Sequence, residues 1–183
     1  MLYWNSISSN LAVRSGCDLH TSLAIYYERD MSVIELRSVD PGATKPHAWA
    51  DWEGGKLSGL GYGRRSYAAV DTLVMESQQV YSRNGAKGAD ALIELAQCAG
   101  IYVGGLCAAN TVKWVLPRIW KKQMTEDAVK ASVMRSLSTA EIDLFIQRAD
   151  EILYWTRKRT ATSDLYHAVG LGLWYLGRWT VPR

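Results

Sequence analysis

The sequence has few cysteines and no long apolar run. Its three cysteines, Cys17, Cys98 and Cys107, are odd in number and show no CxxC spacing. This argues against a disulfide framework or a structural zinc site and favours a reducing, cytoplasmic compartment. The longest near-apolar run, residues 168–177, is about half the length of a membrane-spanning helix, so no membrane association is expected.

The net charge is also small, but the charged residues are unevenly distributed along the chain. The net charge is +3 over 183 residues, too small by itself to indicate a nucleic-acid partner. Residues 111–135, however, carry six basic against two acidic side chains, whereas residues 1–30 carry two against three. A basic surface, if there is one, is therefore centred on residues 111–135.

The chain length and composition are those of one folded domain. A hydrophobic fraction of 48% with 21% charged residues excludes wholesale disorder. Residues 1–30 show no clear period of 2 or 3.6 and no signal-peptide pattern, and a stronger pattern begins at Met31. We expect an N-terminal extension over 1–30, outside the core, and a functional domain over 31–183.

The patterning within residues 31–183 predicts an α/β fold with a mixed sheet. The expected strands cover 33–39, 48–52, 56–62, 72–75, 101–103 and 112–116. The expected helices cover about 89–99 with Gly100 as C-cap, 126–137 with Thr125 as N-cap, 138–157 with a capping box, and 163–178.

Three acidic residues stand at the ends of apolar elements. Asp40 and Glu76 each end a strand, and Asp164 begins the last predicted helix, with His167 three residues on and therefore on the same face. Carboxylates that converge at a sheet edge repel one another, and Mg²⁺ or Mn²⁺ would relieve this repulsion. The alternative is that each acid is only a turn former or a helix cap, and that His167 is a packed core histidine.

An ordered set of short motifs resembles the RuvC-type Holliday junction resolvases, most closely the small phage-type members. The resemblance covers most of residues 33–178. Its motifs are Val39-Asp40-Pro41-Gly42, Val74-Met75-Glu76-Ser77-Gln78-Gln79-Val80-Tyr81, Asn84, Ala89-Asp90-Ala91-Leu92, Ala96-Gln97-Cys98-Ala99-Gly100, Pro117-Arg118-Ile119-Trp120-Lys121-Lys122-Gln123 and His167-Ala168-Val169-Gly170-Leu171-Gly172-Leu173-Trp174.

The resemblance implies an RNase H-like fold, here a mixed five-stranded sheet flanked by helices, and a homodimer in the cytoplasm of a bacterial or phage-infected cell. The implied activity is cleavage of four-way DNA junctions with two Mg²⁺ ions per active site. The acidic cluster holds the two ions, and Asp40 and Glu76 match its first two acids. In such enzymes one ion activates the attacking water and the other stabilises the leaving 3′ oxygen.

The last helix departs from the family pattern, which has Asp-x-x-Asp or His-x-x-Asp there. This sequence has Asp164-Leu165-Tyr166-His167, with His167 in place of the final acid. Imidazole is a poorer ligand for Mg²⁺ than carboxylate is. Either Asp164 supplies the missing charge from one turn earlier, or catalysis is weakened or shifted toward Mn²⁺.

The same resemblance suggests which residues contact DNA. Lys122 and Lys130 match positions where lysines approach the DNA backbone, and Tyr81 follows the Glu76 motif where the family has an aromatic that stacks on a base. Arg118 and Lys121 are further candidates for phosphate contacts. Any of these charges could equally belong to a solvated face, and for Trp114 and Trp120 core packing is expected.

Two other functions compete with a junction endonuclease. One is a catalytically weak branched-DNA-binding protein of the same fold, because His167 replaces an acid. The other is an RNase H-fold ATPase, but the chain is short for the duplicated domains of such ATPases and lacks their glycine motifs. Metal-dependent cleavage separates the junction endonuclease from the branched-DNA-binding protein.

Overall fold

The computed structural model describes residues 34–41, 47–63, 69–77, 85–106, 108–157 and 159–180, and all of them belong to the unit Met31–Arg183. The predicted extension over 1–30 and the predicted DNA contact at Tyr81 lie outside the described residues. The domain boundary at Met31 stays a prediction.

Five strands form one mixed sheet in the order β3-β2-β1-β4-β5. Their bounds are β1 Ile34–Asp40, β2 Ala48–Glu53, β3 Lys56–Tyr62, β4 Ala69–Glu76 and β5 Ala108–Val115. β1, β4 and β5 run parallel, and β2 runs antiparallel to both of its neighbours. This strand order, with β2 alone reversed among the five, is an RNase H-like fold, which confirms the predicted fold class.

The helices follow and interrupt the strands. They are α1 Gly85–Ile101, continued by a short π-helical turn over Tyr102–Leu106, then α2 Pro117–Trp120, α3 Glu126–Ser136, α4 Thr139–Thr156 and α5 Arg159–Tyr175. The predicted caps are present: the Thr125 hydroxyl accepts from the Ala128 amide, and the Glu141 carboxylate accepts from the Ser138 amide. Local sequence therefore determines where α3 and α4 begin.

Apolar side chains bury both faces of the sheet. On one face, α5 packs through residues such as Leu165, Val169 and Leu173, with α3 and α4 completing that layer. On the other face, Ala99 of α1 and Tyr102 of the π-helical turn pack with apolar residues of β1 and β4. The sheet is thus the middle of three layers.

Two glycines let α5 approach the layer beneath it. A Cβ at Gly172 would lie under 3.0 Å from the Trp52 indole, and one at Gly170 would lie 2.9 Å from Trp120. Trp52 and Trp120 are both buried. The Gly-x-Gly pair of the last helix is therefore a packing requirement, and the Gly170 contact reaches the candidate site described below.

Several local predictions were wrong. The run over 101–103 forms the end of α1 and the π-helical turn instead of a strand, because Tyr102 is buried and packs edge-on against His47 at 4.8 Å. Gly100 consequently lies inside α1 and is not its C-cap. Trp114 is half exposed on β5 instead of packed in the core, whereas Trp120 is buried as expected.

The described part of the chain contains no helix that is long and apolar enough to cross a membrane.

Candidate active site

The two strand-end acids lie at the same edge of the sheet. Asp40 is the last residue of β1 and Glu76 is the last residue of β4. The parallel register pairs Val39 with Met75, so the two acids take the next, adjacent positions of neighbouring strands. Strands lie about 5 Å apart, so the backbone itself places the two carboxylates close together.

Helix α5 brings the other two predicted residues to this edge. The His167 Nδ1 atom lies 3.4 Å from an Asp40 carboxylate oxygen. The Asp164 carboxylate accepts a hydrogen bond of 3.4 Å from the Tyr62 hydroxyl at the end of β3. Asp164 lies within α5, which begins at Arg159, and not at its start as predicted, because α5 begins four residues earlier than the patterning indicated.

A one-turn helix places two further side chains on Glu76. Pro117 begins α2 directly after β5, and the Lys121 amide closes the turn on the Pro117 carbonyl at 2.9 Å. Lys122 follows with φ 51°, which ends the turn. The Trp120 indole then donates to one Glu76 oxygen at 2.9 Å, and the Lys121 ammonium lies 3.1 Å from both oxygens.

The charges of this site oppose one another. Burial and the neighbouring Asp40 charge raise the pKa of Glu76, while Lys121 and His167 act in the opposite direction. Burial, together with Asp164 and Asp40, raises the pKa of Tyr62 to about 12, so its hydroxyl stays a hydrogen-bond donor at neutral pH. The site concentrates negative charge that the protein offsets with two of its own basic side chains.

The side chains gathered here are of the types that bind a hard divalent cation, because carboxylate oxygens are the ligands that Mg²⁺ and Mn²⁺ prefer. Asp40, Glu76 and Asp164 would supply these oxygens, with His167 as the one nitrogen donor. Over the described ranges, no three His, Cys, Asp or Glu side chains are arranged as a finished metal site. Both Glu76 oxygens are engaged by Lys121 and Trp120.

The predicted DNA contacts lie in different surroundings. Arg118 and Lys122 are exposed on the segment that carries Lys121. Lys130 lies on α3 and forms an ion pair of 2.7 Å with Glu126 one turn earlier. The Glu126 carboxylate partly neutralises the positive charge of Lys130. Lys121 points into the acidic site, which the sequence alone did not indicate.

Sequence reasoning missed two residues of the site, Tyr62 and Trp120. Tyr62 was treated only as part of a glycine-containing strand, and Trp120 only as a core residue. Both reach the site through contacts far apart in sequence, at separations of 102 and 44 residues. The one signal in the sequence was that Trp120 directly precedes Lys121 and Lys122. This position does not indicate that the indole donates a hydrogen bond to Glu76.

Three comparisons with known proteins were made for the whole sequence. No family model matches the sequence, and no curated protein matches it. Chains of solved structures do match, and one is T. thermophilus RuvC in complex with a Holliday junction substrate. It is 14% identical, with 76% of this chain and 90% of that chain covered, at a TM-score of 0.37.

Proposed function

We propose that this chain is a metal-dependent endonuclease that cuts branched DNA, chiefly four-way junctions. The observation that carries the proposal is the meeting of Asp40 and Glu76 at the ends of adjacent parallel strands, with Asp164 and His167 added from α5. Carboxylates this close repel one another, and a bound divalent cation would relieve that repulsion.

A divalent ion bound there would activate water and stabilise the leaving oxygen of a phosphodiester. Asp40, Glu76 and Asp164 would hold it, Mg²⁺ or, with His167 as a ligand, Mn²⁺. His167 also orients the Asp40 carboxylate through their 3.4 Å contact. The Tyr62 hydroxyl fixes one Asp164 oxygen by donating to it. These two contacts restrain the Asp40 and Asp164 carboxylates in the protein without substrate.

Basic side chains beside the site supply affinity for the DNA backbone. Arg118 and Lys122 are exposed on the segment that follows β5, and β5 is the neighbour of the strand that ends in Glu76. Contacts from such residues to phosphate hold the duplex but carry no sequence information. We propose that Tyr81 and Lys130 extend this DNA surface.

We also propose that the working form is a homodimer. A four-way junction has approximate twofold symmetry, and two symmetric cuts need two sites related by a twofold axis. Helix α1 exposes Ile93 and Ile101, at 57% and 65%, which is consistent with an apolar contact between copies. Light scattering on the purified chain should give about twice the monomer mass of 20.4 kDa.

A second candidate is a branched-DNA-binding protein with little catalysis. It is favoured by the bonds of Lys121 and Trp120 to Glu76 and by His167 in place of an acid. The two candidates differ in cleavage but not in binding. Junction affinity and junction cleavage should therefore be measured together, with Mg²⁺ and separately with Mn²⁺.

The decisive variant is Asp40→Asn, with Asp71→Asn as its control. Asp71 is an exposed carboxylate earlier on β4 that accepts a hydrogen bond from Asn110. We expect Asp40→Asn to abolish cleavage and keep junction binding, while Asp71→Asn keeps both. Cleavage by Asp40→Asn at the wild-type rate would remove Asp40 from the site, and tight binding without cleavage by the unmodified chain would favour the binding protein.

A further inference from the structure

The Lys121 ammonium is bound to the same Glu76 oxygens that a divalent cation would need. It lies 3.1 Å from each carboxylate oxygen, so it bridges both instead of bonding to one. Glu76 is 9% exposed and the Lys121 side chain 18%, so water screens this pair weakly. The contact is much closer to a buried ion pair than to a surface one.

The backbone holds Lys121 in this position. Trp120 is fixed in the core and bonds to Glu76, and the Lys121 amide closes the α2 turn. Lys122 adopts φ 51°, a left-handed conformation that is uncommon for a residue other than glycine. On this turn Lys121 contacts Glu76, whereas its neighbours Arg118 and Lys122 lie exposed.

The adjacent carboxylate has a protein partner as well. His167 Nδ1 lies 3.4 Å from Asp40, and Asp40 and Glu76 end neighbouring strands. A divalent cation that binds Asp40 and Glu76 must replace the ammonium, since the two positive charges would otherwise share the same oxygens and repel each other.

We propose that Lys121 is a built-in competitor of the divalent cation: it neutralises Glu76 in the metal-free protein and must leave Glu76 for the metal to bind. This rests on the proposed function only in assuming a metal site at these carboxylates. Lys121 is thus a positioning residue that sets metal affinity. Its aliphatic chain, partly exposed, allows the ammonium to swing away from Glu76 toward solvent or a DNA phosphate.

The test is Mn²⁺ binding to the full chain without DNA, measured by calorimetry on Lys121→Met, Lys121→Arg and Lys122→Met. Methionine keeps an unbranched side chain one heavy atom shorter and removes the charge. Since a hydrogen bond to a charged group is worth about 1.5–3 kcal/mol, Lys121→Met should bind Mn²⁺ about tenfold to a hundredfold more tightly. Lys121→Arg should retain the wild-type affinity because it retains the competing cation.

Lys122→Met controls for the loss of a positive charge near the site without the contact to Glu76, and it should change the affinity by less than about threefold, the effect expected of an exposed charge. A second measurement is the rise in melting temperature on adding Mn²⁺, which should be larger for Lys121→Met than for wild type. If Lys121→Met does not fold, Lys121→Gln serves in both measurements.

Three results would overturn the proposal: unchanged Mn²⁺ affinity in Lys121→Met, an equal gain in Lys121→Arg or Lys122→Met, or no Mn²⁺ binding by any variant. Failure of the proposed function has a different signature. If the wild-type chain cuts no junction but Lys121→Met gains Mn²⁺ affinity, the competition by Lys121 is supported and the proposed nuclease function is refuted. If the wild-type chain cuts junctions but Lys121→Met binds Mn²⁺ with the wild-type affinity, the nuclease function is supported and the competition is refuted.

Discussion

Replacing Gly172 with alanine should destabilise the fold, although alanine is the better helix former. The new methyl group would lie under 3.0 Å from the buried Trp52 indole. Overpacking of this kind costs about 2 kcal/mol. The displaced indole also strains the 2.9 Å bond from Trp52 Nε1 to the buried Ser38 hydroxyl, at about 1.5 kcal/mol.

Alanine recovers about 1 kcal/mol through its helix propensity, so the net loss should be about 2.5 kcal/mol in free energy of unfolding. In a domain of this size that lowers the melting temperature by about 5–10 °C. The matched control is Gly100→Ala in α1, where a Cβ meets nothing within 4 Å. That variant should gain about 0.5–1 kcal/mol.

Thermal unfolding followed by circular dichroism, with urea titration for the free energies, compares the two variants. Opposite signs support close packing of α5 on Trp52 as the reason for Gly172. If Gly172→Ala is as stable as Gly100→Ala, the helix does not approach the sheet as described, and the reasoning is refuted.

Four further predictions test other contacts. Glu141→Gln should cost about 3 kcal/mol at neutral pH, because the buried Glu141 carboxylate accepts from the Leu57 amide and from Arg178. These bonds hold the pKa of Glu141 well below the usual range, so the stabilisation is complete above about pH 4.5 and is lost as pH falls further. In urea titrations, the difference in free energy of unfolding between wild type and Glu141→Gln should shrink in that acid range. A constant difference would contradict the assignment. Gly170→Ala, which pushes on Trp120 and so on the Trp120–Glu76 bond, should lower junction cleavage with little change in junction binding, whereas Gly100→Ala should alter neither. Lys122→Ala should flatten the dependence of junction affinity on salt by about one phosphate contact, whereas the exposed Lys56→Ala should not; equal slopes would place Lys122 away from DNA. Deletion of residues 1–30 should leave a soluble, active domain, and loss of the fold would show that these residues belong to the core.

Sequence patterns predicted the features that depend on neighbouring residues. The strand-end positions of Asp40 and Glu76 and the two helix N-termini at Thr125 and Ser138 all follow from local sequence. The strand predicted at 101–103 failed because β-forming side chains were buried by tertiary packing in a continued helix.

The rest of the site could not be predicted from local patterns. The bonds of Lys121 and Trp120 to Glu76 and of Tyr62 to Asp164 join residues that only the sheet and α5 bring together. Lys121 was a further candidate for a phosphate contact because it lies in the basic segment, and nothing in its sequence neighbourhood indicates that it faces a carboxylate. A lysine can serve either role, and here the contacts of Lys121 with Glu76 show which one it has in the protein without DNA.

The most direct test of the central claim is to map cuts on a synthetic four-way junction at nucleotide resolution, beside linear duplex of the same sequence. The wild-type chain with Mg²⁺ or Mn²⁺ should give paired, symmetric cuts near the branch point, with none on the duplex and none by Asp40→Asn. Equal cutting of duplex and junction, or cuts by Asp40→Asn at the wild-type rate, would contradict a junction nuclease built on these carboxylates.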